Sequence, residues 1–512
     1  MIIAIIIGYF LLLLGVSRMA ARGGENGNSS FFRAGRQSPW YMVAFGMVGA
    51  SISGVTFVSV PGMVMHSGMT YLQTCMGFIV GYFVVAFVLL PVYYRLNLTS
   101  IYTVLRGISD EAYKTGAMFF IVSKLLGSAA KFFVPCFIVS GALGTNFYLT
   151  TIVLYALIWL YTRRGGIKTL VWTDTLQALC MLAALLLIMY YVYGALFNFQ
   201  FSIFTLKECL AAVAQSDYSK VFEFEDWGSP NNFFKCFVAG IFIVVVMTGL
   251  DQDMMQKNLT CKTLRDAQKD MCTYGFAFLP VNALFLGLGV MLTMLYAREG
   301  VALPDKPDEL LSQFVNVQEV QSSSASLVQG VQSSSASLVQ GVQMVQGIFI
   351  LGVIATSFST VDSAITALTT SFCVDIVGRE NDVAMRRRVH IGMTVAMIAL
   401  TVMFNLVSTH SLIDTIYTLV SYTYGPLLGL FMYSLIDSRP LLKRGKQNEY
   451  VRGGGESVVC ILSPLICFGL DTLVPRLTGY HFGYELLLIN GLITYAGLRM
   501  LKIENRRLKI EN

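Results

Sequence analysis

The chain has 512 residues, 55% of them hydrophobic and only 13% charged, where soluble domains carry roughly 25% charged residues. That composition excludes a water-soluble surface. Apolar runs recur from end to end, each near the ~20 residues that cross ~30 Å of hydrocarbon as a helix, so the fold class read from the residues is all-α and membrane-embedded in a lipid bilayer. The net charge of +6 says little by itself, and no nucleic-acid partner is expected.

Thirteen spans are predicted, at about 2–17, 40–65, 70–94, 113–142, 147–162, 169–196, 232–255, 271–297, 344–372, 389–407, 411–436, 456–475 and 482–500. The first, from Met1 to Val16, lacks a basic start and a small-residue cleavage site and reads as an uncleaved helix. With the N-terminus outside, 28 of the 36 basic residues fall in inner segments. Lys207, Lys220, Lys235, Arg298, Lys306 and Arg476 lie at or beyond the outer face, and Lys124 and Lys131 lie inside a span. The positive-inside rule therefore gives N-out and C-in.

Span two reads VGASISGVTFVSVPG from Val48 to Gly62. Gly and Pro free backbone carbonyls at membrane depth, which is tolerated only where they face protein or a cavity, as in the discontinuous helices of transporters; close packing through small residues is the other reading. In GGIKTLVWTDTLQ, Asp174 is a buried acid about ten residues in from Arg164, and it needs a partner.

Span nine contains ATSFSTVDSAITALTT, with Thr356, Ser359, Thr360, Ser363, Thr366 and Thr370 spaced along one helical face and Asp362 beside them. The stripe either faces a ligand or bonds its own preceding turn, with Asp362 pairing a lysine. Oxygen ligands of this kind suit a hard cation, sodium first and a proton second.

Ten cysteines without a CxxC pair, and the dispersed His66, His390, His410 and His481, suggest neither a metal cluster nor a cofactor. Cys209 and Cys236 flank one predicted outer loop and could pair; free apolar thiols are the alternative. The segment QSSSASLVQGV occurs at 321–331 and again at 332–342, and the tail repeats as RMLKIEN then RRLKIEN. These are read as duplications in solvent-facing segments, without a function.

Four blocks, in order among the spans, resemble the sodium:solute symporter family of sodium/glucose, sodium/proline and sodium/sialic acid transporters. GASISGVTFVSVPG looks like the broken first core helix of that family and GGIKTLVWTDTLQ like its GG…WTD.Q stretch. TGLDQDMMQKNL is similar to its DQ…QR segment, and STVDSAITALTTSFCVDI to its eighth core helix. The resemblance implies a leucine-transporter-like inverted five-plus-five repeat with one leading helix (2–17), a ten-helix core (40–436) and two trailing helices (456–500), with an outer loop at 297–343. Spans two and seven should then both be interrupted.

The same resemblance implies a principal sodium site on Gly49, Ile52, Thr356, Ser359 and Thr360. A second cation site would draw on Asp174, Ser359, Asp362 and Ser363. Substrate contacts would fall on Ser51, Ser53, Thr56 and Gln252. Lys131 sits where the sialic acid type places a basic residue for a carboxylate, unless it pairs with a buried acid such as Asp362; Lys124, seven residues earlier, could snorkel or pair.

The expected function is sodium-coupled symport of a small polar solute (sugar, carboxylate or amino acid) across the plasma or inner membrane by a monomeric unit, with no enzymatic activity. Proton coupling through Asp174 and Asp362 is the runner-up. A membrane sensor would need a signalling domain, and only about eleven residues follow the last predicted span. A membrane enzyme or a channel would need nucleophile, metal or filter motifs that are not visible.

Overall fold

The computed structural model describes residues 2–21, 28–197, 203–315, 335–407, 412–437, 454–480, 482–483 and 485–511. Helices account for nearly all of them, and the strand-type pairing among the described residues is an isolated bridge between Ser38 and Cys261. The long helices are α1 (Ile2–Ala21), α2 (Trp40–Ser51), α3 (Gly54–Ser67), α4 (Tyr71–Arg95), α5 (Asp110–Leu143), α6 (Phe147–Gly165) and α7 (Ile167–Phe197). They continue as α8 (Phe233–Gly249), α9 (Gln252–Asn258), α10 (Leu264–Arg298), α11 (Ser335–Ser371), α12 (Val383–Val407), α13 (Leu412–Asp437), α14 (Glu456–Thr478) and α15 (Glu485–Glu511).

Among the described residues nine helices are long and apolar enough to cross a membrane, and two bent pairs raise the number to eleven. The helix α6, whose apolar stretch is shorter, and the 26-residue α13 lie at the predicted fifth and eleventh spans. Large apolar side chains such as Leu11, Phe87, Leu149, Leu186 and Phe468 point outward, half or more exposed, which is the pattern of a lipid-facing surface.

Sequence signals set the helix ends. Ser109 caps α5 by accepting from the N–H of Ala112 at 2.9 Å, Asp110 and Glu111 occupy its positive first turn, and Gly144 ends it in the left-handed conformation. Thr263 caps α10 by accepting from the N–H of Asp266.

Two segments that the sequence reading took as solvent-facing are partly helical. Helix α11 begins at Ser335, so part of the second duplicated copy is helical rather than loop, and the 297–343 loop also contains a short helix at Glu309–Val315. The first copy, 321–331, lies outside the described residues. Helix α15 runs through the tail repeat to Glu511 without a break. All ten cysteines are free thiols, Cys209 and Cys236 included.

The bundle is tightest where glycines remove side chains. A Cβ on Gly77 of α4 would stand 2.1 Å from the Phe237 carbonyl oxygen, and one on Gly240 of α8 would stand 2.3 Å from that of Thr74, so α4 and α8 meet backbone to backbone. Helix α2 approaches α7 in the same way: a Cβ on Gly49 would lie 2.7 Å from Ala178 Cβ. Replacing Gly77 with Val forces apart contacts that backbone atoms cannot yield. The expected cost is about 3 kcal/mol, read as a large drop in the melting temperature of the detergent-solubilised protein beside an unchanged Gly107→Val control, whose Cβ meets nothing within 4 Å.

Candidate solute and cation site

Both predicted interruptions exist. Helices α2 and α3 meet at 65°, and α8 and α9 meet at 71°. At the first bend the last ladder bond of α2 runs from Ile52 N–H to the Val48 carbonyl at 3.2 Å, and pairing resumes with Phe57 N–H on the Ser53 carbonyl. The carbonyls of Gly49 to Ile52 thus fall outside the helical ladder. Ser53 restarts the helix, its hydroxyl accepting from the Thr56 N–H at 3.3 Å.

The hydroxyl row of α11 lies against this bend. Thr360 Oγ1 donates to the Ala50 carbonyl at 3.3 Å and to the Thr356 carbonyl at 3.0 Å. A Cβ on Gly54 would stand 2.3 Å from Ser357 Oγ, so α3 also touches α11. Thr356 turns its hydroxyl onto Gly352 and Val353 of its own helix, and Thr366 and Thr370 do likewise on Asp362 and Thr366. That half of the stripe bonds its own turn. Ser359 and Ser363 instead reach across to Asp174 on α7, donating at 2.9 and 3.4 Å.

At the second bend Asp251 caps α9, accepting from the Asp253 N–H at 2.8 Å. The carbonyls freed there are taken by tyrosines: Tyr93 donates to Gly249 at 2.7 Å and Tyr102 to Leu250 at 2.9 Å. Lys124 of α5 bridges Asp251 at 3.0 Å and Asp253 at 2.7 Å, and Tyr424 of α13 donates to Asp251 at 2.8 Å. The carboxylates and the lysine are largely buried, so each charge needs the other.

A cavity of about 150 Å³ opens between the two bends, lined in part by Ser51, Ser53, Thr56, Lys131, Asp251 and Thr360. Ser51 is hydrogen-bonded to Tyr274 of α10 at its wall. Lys131 faces the cavity, and among the described residues no carboxylate lies within ion-pair distance of it. The suggested pair with Asp362 does not form: Asp362 Oδ2 accepts from Tyr161 of α6 at 2.6 Å. Lys124 does not snorkel but pairs.

Gln252 corrects a second expectation. It is fully buried, accepting from the Ile101 N–H and donating to the Thr99 carbonyl, both at 2.9 Å, and it is no part of the cavity wall. Its long polar side chain at a helix break invites a substrate role, yet the turn at Thr99–Ile101 packs against it with backbone groups of its own to be satisfied. Lys257, which the sequence reading passed over, is buried on α9 with its ammonium 2.7 Å from Asp174 Oδ2. The paired acid was visible in the sequence; the partner lay 83 positions away on another helix, with no periodicity to announce it.

Residues 31–441 match the family model described as the sodium:solute symporter family. The chain belongs to the sodium:solute symporter family. Among curated relatives, the human sodium/iodide cotransporter is 22% identical over 445 residues, which cover 84% of this chain and 65%, just under two thirds, of that protein. The sodium/sialic acid symporter NanT of Aliivibrio fischeri is 22% identical over 458 residues, covering 84% of this chain and 81% of that one.

A solved structure of a Na+-coupled sialic acid symporter, substrate-bound and outward-open, superposes with a TM-score of 0.77 at 17% identity over 98% of both chains. At that identity the likeness shows the fold, which is the leucine-transporter-like fold of the family, and the two bends of this symporter-family chain belong to it. Truncating Lys124 to Met strands two buried carboxylates. The expected loss is about 3–5 kcal/mol of stability, with the Lys124→Met/Asp251→Asn/Asp253→Asn triple variant recovering most of it in the same thermal unfolding assay.

Proposed function

We propose that the protein is a sodium-coupled symporter that imports a small organic anion by alternating access. The observation that carries this reading is the arrangement at the cavity: an unpaired lysine faces the same space as Thr360, the hydroxyl that links α11 to the freed carbonyls of the first bend. A sodium held by the carbonyls of Gly49 and Ile52 and the oxygens of Thr356, Ser359 and Thr360 would draw α2 and α11 together. That completes the wall against which the solute rests, so that solute and ion favour one closed state. Ser51, Ser53, Thr56 and Lys131 are the solute contacts on this reading.

Lys131 supplies the selectivity. Lys131 is half-buried at the cavity wall; an ammonium there without a counter-ion among the described residues is costly, and a carboxylate removes that cost while a sugar does not. The iodide and sialic acid named for the two relatives are both anions, which fits the same electrostatics.

The membrane arrangement of thirteen spans, N-terminus outside and C-terminus inside, with a core at 40–436 between a leading and two trailing helices, is part of the same reading. It is supported by helices at every predicted position and by the bends in spans two and seven. A monomeric functional unit is part of the same proposal. Proton coupling is the competing reading, favoured by the buried Asp362 Oδ1, which has no hydrogen-bond partner; undiminished uptake in sodium-free buffer would select it.

A thermal-shift screen of sugars, amino acids, carboxylates and sialic acids, with and without sodium, tests the proposal. Stabilisation by a carboxylate is expected only with sodium present, and Thr360→Ala removes the sodium dependence. Lys131→Gln weakens carboxylate binding about tenfold or more, the worth of one charge-assisted hydrogen bond, and leaves sodium binding in place. Carboxylate affinity unchanged in Lys131→Gln would overturn the role given to that residue.

A further inference from the structure

The oxygens expected to hold a second cation are brought together, but they are already occupied. Asp174 on α7 lies wholly buried beside Ser359, Ser363 and Asp362 of α11. Lys257 Nζ sits 2.7 Å from Asp174 Oδ2, with side-chain exposures of 2% and 1%. The ammonium faces the carboxylate at ion-pair distance, off the line of a hydrogen bond, so the attraction is one of charge.

The rest of the carboxylate is used as well. Ser359 donates to Oδ1 and Ser363 to Oδ2, and the Gln177 amide, in the orientation that satisfies it, donates to Oδ1 at 3.1 Å. A carboxylate has about four lone-pair sites, and here three donors and one ammonium are directed at them. Both serine hydroxyls direct their protons at Asp174, which fixes the carboxylate between α7 and α11. Asp362 offers one free oxygen, Oδ1, its other being held by Tyr161. A cation entering here would meet the Lys257 ammonium already at 2.7 Å from the Asp174 carboxylate, and the two like charges would compete for one buried carboxylate.

We propose that Lys257 is a tethered cation that takes the place of a second sodium, so that the protein binds a single sodium, at the Thr360 site. The inference rests on the sodium-coupling reading above. The ammonium is carried on α9, the short helix beyond the second bend, whereas its carboxylate is on α7 and the serines that hold the carboxylate are on α11. An ion that diffuses in would tie α7 to α11 only while bound. The lysine ties α9 to both permanently and makes the link part of the chain.

Equilibrium binding of radiolabelled sodium to the full chain in lipid nanodiscs tests this. The wild-type protein is expected to bind a single sodium per chain, lost in Thr360→Ala. Lys257→Gln, which leaves Asp174 without its cation, gains a second sodium, and Lys257→Arg stays at one. Two sodium ions on the wild type, or still one on folded Lys257→Gln, overturns the proposal while leaving sodium coupling intact. Should Lys257→Gln fail to fold, the wild-type stoichiometry decides alone. No sodium on the wild type removes the coupling reading, and the present inference with it.

Discussion

A helix interrupted inside a bilayer exposes backbone oxygens where no water can reach them, and each such oxygen left alone costs several kcal/mol. The chain bends two helices in this way, at Ile52 and at Leu250. The surroundings of both bends follow from the need to satisfy what the bends release. At the second bend the answer is built in: tyrosine hydroxyls from the segments around Tyr93 and Tyr102 reach the freed carbonyls, and Gln252 ties the bend to the turn at Thr99. At the first bend the side-chain donor that arrives is Thr360, bonded to Ala50. The neighbouring carbonyls of Gly49 and Ile52 are the ones assigned to sodium in the proposed function, so on that proposal the two bends, alike in angle, differ in use.

Charge is arranged with the same economy. Lys124 holds the two carboxylates at the start of α9, Asp251 and Asp253, and Tyr424 adds a donor from α13, so the start of α9 is fixed from two other helices. Lys257 fixes its far end to α7. A seven-residue helix, too short to be stable alone, is thus pinned at both ends by buried ion pairs. Truncating either lysine would leave uncompensated carboxylates rather than merely remove a contact.

Much of this could be read from residues alone. Glycine and proline within an apolar run flagged the first bend, and acids within spans six and nine flagged polar interiors, because both features are expensive in hydrocarbon and persist only where something compensates them. What stayed hidden was pairing between distant helices. Asp174 announced that a partner existed, but nothing local distinguishes Lys257 from a membrane-face lysine, and the partner of Asp362 proved to be a tyrosine rather than a lysine. Gln252 misled for the same reason: a polar side chain at a break is equally suited to a ligand and to backbone, and only the fold brings Thr99 and Ile101 to it. The Thr356 hydroxyl, on the face shared with Ser359, turned back on its own helix, since periodicity fixes a face but not a rotamer.

The lysine beside Asp174 also bears on energetics. A carrier that moves one sodium with one monovalent anion transfers no net charge, so the voltage across the membrane neither drives nor opposes its cycle. A second sodium would make each turn electrogenic, adding about 2.3 kcal/mol at 100 mV to the roughly 1.4 kcal/mol that its own tenfold gradient contributes. On the proposal that Lys257 stands in for that ion, a tenfold sodium gradient, worth about 1.4 kcal/mol, would limit accumulation to about tenfold. The carrier then responds to salt alone and continues to work in a depolarised cell.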